Sequence, residues 1–391
     1  MIIKNANIYT TGKVFQKGEI RIQDGKFSSQ TTEQKVIDAK GCYAIPGLID
    51  MHLHGCAGYD LCDGTLEALA KIAEHQANAG ITGICPATMT LPKQELVRIL
   101  RIAAEYKKQC ETHSGMPDPV LAGCGKGADL LGINMEGPFI SSEKKGAQDP
   151  KHIVPCSMET AQEFIEASGG LVKLIGVAPE NNPDFRSFIT QLKGQVHISL
   201  AHTNADYDTA MAAFDAGADH AVHLYNAMPP FTHRQPGVIG AVCDSPHVHA
   251  ELICDGIHIH PSVVRATFRM LGADRIVLIS DSMRAAGMPD GSYTLGGLNV
   301  NVKNKKATLA SDGAIAGSAS NLMECMRTAV THMGIPLEQA VACATVNPAK
   351  RLGVYKERGS IEVGKKADLV LLDDSLDVQL IIKDGKVLQS L

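Results

Sequence analysis

Two textures of hydrophobic and polar positions divide the chain. At both ends, short stretches alternate apolar with polar residues: Met1–Tyr9 and Glu19–Phe27 early, Asp368–Leu372 and Val378–Leu388 late. Period-two alternation marks half-buried strands. Asp24-Gly25 and Asp384-Gly385 add hairpin-turn signals. Isolated hairpins are marginal in water. The economical arrangement is therefore one small β-sandwich domain built from both ends, residues 1–47 with 352–391, beside a central domain of residues 48–351.

The central part reads differently. Apolar runs at Ile81–Cys85, Leu130–Met135, Leu171–Val177, Val196–Ala201, Ala218–Leu224, Ala250–Cys254 and Arg275–Ile279 suit buried strands. Between them, Gln94–Tyr106 places Leu96, Leu100, Ala103 and Ala104 at spacings of three and four, the helical period. Ala205–Ala216, Pro261–Leu271 and Asn321–His332 read likewise, with Pro261 suited to a first helical turn. With the run that ends near His52 these make about eight strand–helix units, so the fold class is α/β and the architecture a (β/α)8 barrel of the TIM type. Ser292–Thr308, rich in Gly and Asn with alternating Val300 and Val302, reads as an inserted hairpin.

Composition narrows the partners. Of 391 residues 45% are hydrophobic and 20% charged, which excludes a disordered chain and allows a large core. Lys and Arg number 37 against 42 Asp and Glu, a net charge of −5, which gives no general reason to expect nucleic acid or anionic membrane as a partner. No apolar run approaches the 18 or so residues of a membrane span, and Met1–Asn7 lacks a signal-peptide core. The expected compartment is the cytoplasm. The 11 cysteines form no C-x-x-C pair and read as small buried thiols rather than a zinc ribbon.

In a parallel barrel, functional side chains sit where strands end. His52-Leu53-His54 follows the first apolar run, and residues two apart point to one face of an extended chain. Glu136 closes the next run, His202 and His223 follow two more, and Asp281 follows the last. Singly, each residue has a bland reading: a chance histidine pair, a solvated glutamate, a helix-capping aspartate. Together, imidazoles and carboxylates recurring at separate strand ends point to one metal centre.

The segments Pro46–Gly55, Asn134–Phe139, His223–Met228, Asp255–His258 and Ser280–Met283 resemble the amidohydrolase superfamily, and within it the N-acetylglucosamine-6-phosphate deacetylase family, over nearly the whole chain. His-x-His is shared widely; Glu136-Gly137-Pro138-Phe139 and His223-Leu224-Tyr225-Asn226-Ala227-Met228 are the specific matches. The resemblance implies that Glu136, His202 and His223 hold a divalent metal, zinc first, with iron, cobalt or manganese as alternatives. His52 and His54, replaced in some members, imply a second metal. Asp281 is implied as the general base and acid. An amino-sugar phosphate substrate is implied, its phosphate met by Arg234 and His258, with Asn226 and the Ala227 backbone nearby. Members are commonly homodimers that share the phosphate-binding Arg and His across the interface. One departure stands out: where some members place a histidine against the reacting amide, this chain has Gln148, which donates a neutral hydrogen bond but carries no proton charge.

The expected activity, as the resemblance implies it, is removal of the acetyl group from N-acetylglucosamine 6-phosphate. The galactosamine epimer, a cyclic amidase or a deaminase are the alternatives, and a non-catalytic scaffold is opposed by the intact set of ligands.

Overall fold

The computed structural model describes residues 1–112 and 126–390. Eight parallel strands form the barrel: β1 Leu48–Asp50, β2 Ile81–Ile84 (resuming at Ala87–Thr88), β3 Ile133–Phe139, β4 Val172–Val177, β5 His197–Leu200, β6 His220–Ala221, β7 His249–Ile253 and β8 Ile276–Ile279. Each pairs in parallel with the next in chain order. The ring closes between β8 and β1, where Asp281 N donates to His52 O at 2.9 Å and His54 N to Ser282 O at 2.7 Å. The buried Asp50 carboxylate fastens the same seam by accepting from Ser280 Oγ and from the Ser280 and His52 backbone. This is the expected TIM-type barrel.

Two apolar layers explain why the strands read as continuous runs. Ile49, Met51, Cys85, Leu174, Ile253, Val277 and Ile279 fill the barrel core, while alternate strand residues such as Leu48, Ile175 and Leu278 pack against the helices. Burial of each such side chain contributes about 1.5–3 kcal/mol. The helices match the expected segments with shifted ends. The first runs Lys93–Thr112. Another starts at Tyr207, because Asp206 caps it by accepting from Thr209 N. Asn321 caps Leu322–Thr331 in a reciprocal capping box with Glu324. Only His220–Ala221 of the run Ala218–Leu224 is strand, since the backbone turns sharply at His223, with φ of 27°.

The inserted segment is a three-stranded antiparallel sheet, Gly291–Leu295, Leu298–Lys303 and Lys306–Leu309. Its apolar face packs on Met89 and Met283, which follow β2 and β8, so it covers the C-terminal mouth of the barrel.

The chain ends combine into one continuous eight-stranded sheet with a core of its own, including Ile3, Ile20, Phe27, Leu369 and Ile382. It curls until Phe27 N donates to Lys365 O, the form that the expected sandwich takes. The boundaries 1–47 with 352–391, and 48–351, stand as our proposal, supported by the separate core. Asp129, just before β3, meets Arg358, Lys366 and Lys383 of the C-terminal part. Among the described residues no helix is long and apolar enough to cross a membrane, and nine cysteines are free thiols.

Candidate metal centre

Four strands deliver side chains in the same way. His52, His202, His223 and Asp281 each lie two residues beyond the end of β1, β5, β6 and β8. Three of them, His202, His223 and Asp281, adopt left-handed backbone with φ of 44°, 27° and 49°, a region that L-residues occupy only when their surroundings hold them there. Glu136 comes from within β3. Glycine follows it because a Cβ at Gly137 would lie 2.1 Å from Thr90 Oγ1.

All of these side chains converge. Glu136 Oε1 lies 3.1 Å from His202 Nε2, 2.9 Å from His223 Nε2 and 3.4 Å from His52 Nε2. Its other oxygen lies 3.4 Å from His54 Nε2. His54 Nε2 is also 3.2 Å from Asp281 Oδ1. Two triads that share Glu136 result: His52, His54 and Glu136, and Glu136, His202 and His223, the donor atoms of each within 4.8 Å of one another.

The outward ring nitrogens determine what the inner ones offer. Nδ1 of His202 faces Lys144 O at 2.9 Å, that of His223 faces Asn226 O at 3.1 Å, and that of His54 faces Ala87 O at 3.3 Å. A carbonyl oxygen only accepts, so each Nδ1 carries hydrogen, and Nε2 is the inward nitrogen that offers a lone pair when the ring is neutral. His52 donates its Nδ1 hydrogen to the Glu251 carboxylate at 2.8 Å. The inward nitrogens of His202 and His223 stand 3.2 Å apart, an arrangement of facing lone pairs that a shared cation stabilises. His52 Nε2 and Asp281 Oδ1 are buried without a hydrogen-bond partner. Imidazole and carboxylate donors of this kind fit a divalent transition metal.

The carboxylates are held ionised. Burial would raise the Glu136 carboxyl, but the adjoining His202 and His52 and the imidazole hydrogen bonds keep it well below the usual range. Burial likewise opposes ionisation of Asp281, and the neighbouring His54 and His52 imidazoles outweigh it.

A cavity of about 310 Å³ opens onto the cluster, lined among others by His54, Glu136, His202, His223, Asp281 and His258. Asn226, Ala227 and Gln148 line it too, and Met89, Leu295 and Ile315 supply apolar wall. His258 is fixed by Asp255, Nδ1 to Oδ2 at 2.8 Å. Gln148 is more committed than the sequence implied: its Oε1 accepts from Thr90 N and its Nε2 donates to Glu136 Oε2, both at 2.6 Å. Asp281 caps no helix; it stands in the loop after β8 and Ser280. Arg234 is exposed and lines a different cavity, with Tyr207, Pro229 and Pro230. Sequence reasoning missed Glu251, the buried carboxylate that links His52 to His220. The available signal was a glutamate inside the apolar run Ala250–Cys254.

A parallel barrel whose strand ends gather four imidazoles and two carboxylates defines the class, and the chain belongs to the amidohydrolase family, whose family model matches residues 43–388. Within that class, the chain is 36% identical to the N-acetylglucosamine-6-phosphate deacetylase of Bacillus subtilis, over 99% of this chain and 96% of that one. It is 34% identical to an N-acetylgalactosamine-6-phosphate deacetylase of Escherichia coli, over 94% of each chain. Among solved structures, a mutant N-acetyl-D-glucosamine-6-phosphate deacetylase of Mycobacterium smegmatis in complex with N-acetyl-D-glucosamine-6-phosphate superposes with a TM-score of 0.89 at 30% identity, covering 99% of both chains.

Proposed function

We propose that this protein removes the acetyl group from N-acetyl-D-glucosamine 6-phosphate, giving D-glucosamine 6-phosphate and acetate, in amino-sugar catabolism and cell-wall recycling. The observation that carries this reading is the meeting of Glu136, four imidazoles and Asp281 beside one cavity, which all of them but the buried His52 line, in a chain that aligns end to end with deacetylases of that substrate.

His202 and His223 would hold one divalent metal and His52 and His54 a second, with Glu136 shared between them; zinc suits this donor set best. Such ions supply Lewis acidity and bring the pKa of water towards about 7. The rest is the work of the chain. Asp281, ionised and facing the cavity, accepts the proton of the attacking water and returns it to the departing nitrogen. His258, which lines the cavity of its own chain where the resemblance implied a histidine from the partner, would bind the sugar phosphate with Asn226 and the Ala227 backbone. Gln148 orients Glu136, and its remaining N–H, now 3.7 Å from Met89 Sδ, is the one left for a substrate carbonyl. Arg234, absent from its own cavity, would serve the cavity of a second subunit, which makes a homodimer the working form. The working compartment in this reading is the cytoplasm.

The galactosamine epimer is the second reading, favoured by the E. coli relative. Acetate release from both hexosamine phosphates, with metal quantified in the same sample, separates the two. Faster turnover of the glucosamine compound supports the first reading. Reversed preference supports the second, and no acetate from either substrate with metal bound refutes both.

A further inference from the structure

We infer that Glu251 is a positioning residue for the His52 and His54 metal site, supplying both the orientation of His52 and a compensating negative charge. The inference rests on the two-metal reading above.

Glu251 sits in the middle of β7, where it follows the half-buried His249 and stands among buried Ala250, Leu252 and Ile253, and is itself wholly buried. An ionised carboxylate is costly in such a place unless its charge and lone pairs are answered. Its lone pairs are: Oε2 accepts from His52 Nδ1 at 2.8 Å and from His223 N at 3.1 Å, and Oε1 meets His220 Nε2 at 3.0 Å. Its charge is not answered by a permanent cation. Among the described residues its ion pairs run only to His52 and His220, with no Lys or Arg. His220 belongs to neither triad and leaves its own Nδ1 without a partner. The balancing positive charge therefore has to arrive through His52, whose opposite nitrogen faces Glu136 and Asp281.

Charge counting points the same way. Two divalent ions bring four positive charges, against which Glu136 and Asp281 set two negative ones. Glu251 adds a third, one imidazole away. A carboxylate hydrogen-bonded to the far nitrogen of a metal-bound histidine fixes its tautomer and raises its donor strength. The other triad has no such partner: His202 and His223 rest their outer nitrogens on neutral carbonyls. The two sites are thus built with unequal electrostatic support.

The test uses the whole chain, stripped with chelator and titrated with Co²⁺, followed by calorimetry and visible absorption. Glu251→Gln is the informative variant, because a glutamine oxygen can still accept from His52 and His223 while its amide donates to His220 in the other tautomer. It removes the charge and keeps the shape. Wild type should take up two ions. Glu251→Gln should bind the first ion unchanged and the second roughly 10–100-fold more weakly. His220→Gln, which leaves the Glu251–His52 pair in place, should keep both. If Glu251→Gln folds poorly, Glu251→Asp, with charge retained and reach shortened, should still weaken the second ion selectively. Equal weakening of both ions, or two ions bound as tightly as in wild type, overturns the inference. A single ion in wild type overturns the two-metal reading itself, a failure read without any variant.

Discussion

At the scale of single residues, the left-handed conformation of His202, His223 and Asp281 marks where backbone strain, about 1–3 kcal/mol each, is accepted to aim a side chain. Asp281 is locked by its own backbone, N to His52 O at 2.9 Å and O to Ser318 N at 2.8 Å. Asparagine tolerates the same conformation, so Asp281→Asn should fold and keep its metal while kcat falls roughly 10²–10⁴-fold, the range for losing a general acid–base. Steady-state acetate release alongside metal analysis checks this, and an unchanged rate would remove Asp281 from the proton transfer. The six residues of the cluster were legible in sequence because each stands at the polar end of an apolar run. Glu251 was not. Periodicity says that a residue in β7 is buried, not that three distant groups wait for it.

The elements meet most critically at the β8–β1 seam, where closure of the ring also aligns Asp281 with His52. Asp50 is fully buried and accepts from Ser280 Oγ and two backbone N–H groups. Asp50→Ala leaves these donors unpaired in a dry environment and should destabilise the fold by about 3 kcal/mol, read as a lower denaturant midpoint with an unchanged slope. Three of the expected helices were legible to within a turn, since apolar spacing and capping residues such as Asn321 are local signals, while the first runs on past Tyr106 to Thr112. The shortness of β6 was not, because its end is set by the turn that carries His223 into the cluster.

Across the whole molecule, Asp129 ties the barrel to the β-sheet of the chain ends through Arg358, Lys366 and the fully buried Lys383. Burial would raise its carboxyl, but these three cations hold it far below the ordinary range. A depressed acid stabilises the fold above its unfolded value near 4 and loses that contribution as pH falls below it. Asp129→Asn should therefore cost about 3 kcal/mol at pH 7, the low end for breaking a buried pair, because 22% of its side chain still reaches solvent. It should also flatten the fall in stability below about pH 4, measured by denaturation across pH. Arg234 tests the assembly. Arg234→Ala should raise KM for the phosphorylated sugar and leave the plain sugar little affected. Mixing it with Asp281→Asn chains should restore activity, since each hybrid pairs an intact cavity with an intact arginine. No recovery from exchanging dimers would place Arg234 outside the site.

From its amino-acid order alone, this protein declared a barrel flanked by strands from both termini and a set of metal-seeking side chains at strand ends. Those features follow from local periods of two and 3.6 and from the cost of placing charge beside apolar runs. Tertiary structure alone decided the pairings: which nitrogen of each histidine turns inward, that Gln148 holds Glu136, that Arg234 lies outside its own cavity, and that Glu251 backs His52. His52 and Glu251 stand 199 positions apart. Their contact exists only once the ring of strands has closed, because a hydrogen bond is a relation between two places and a local pattern describes one.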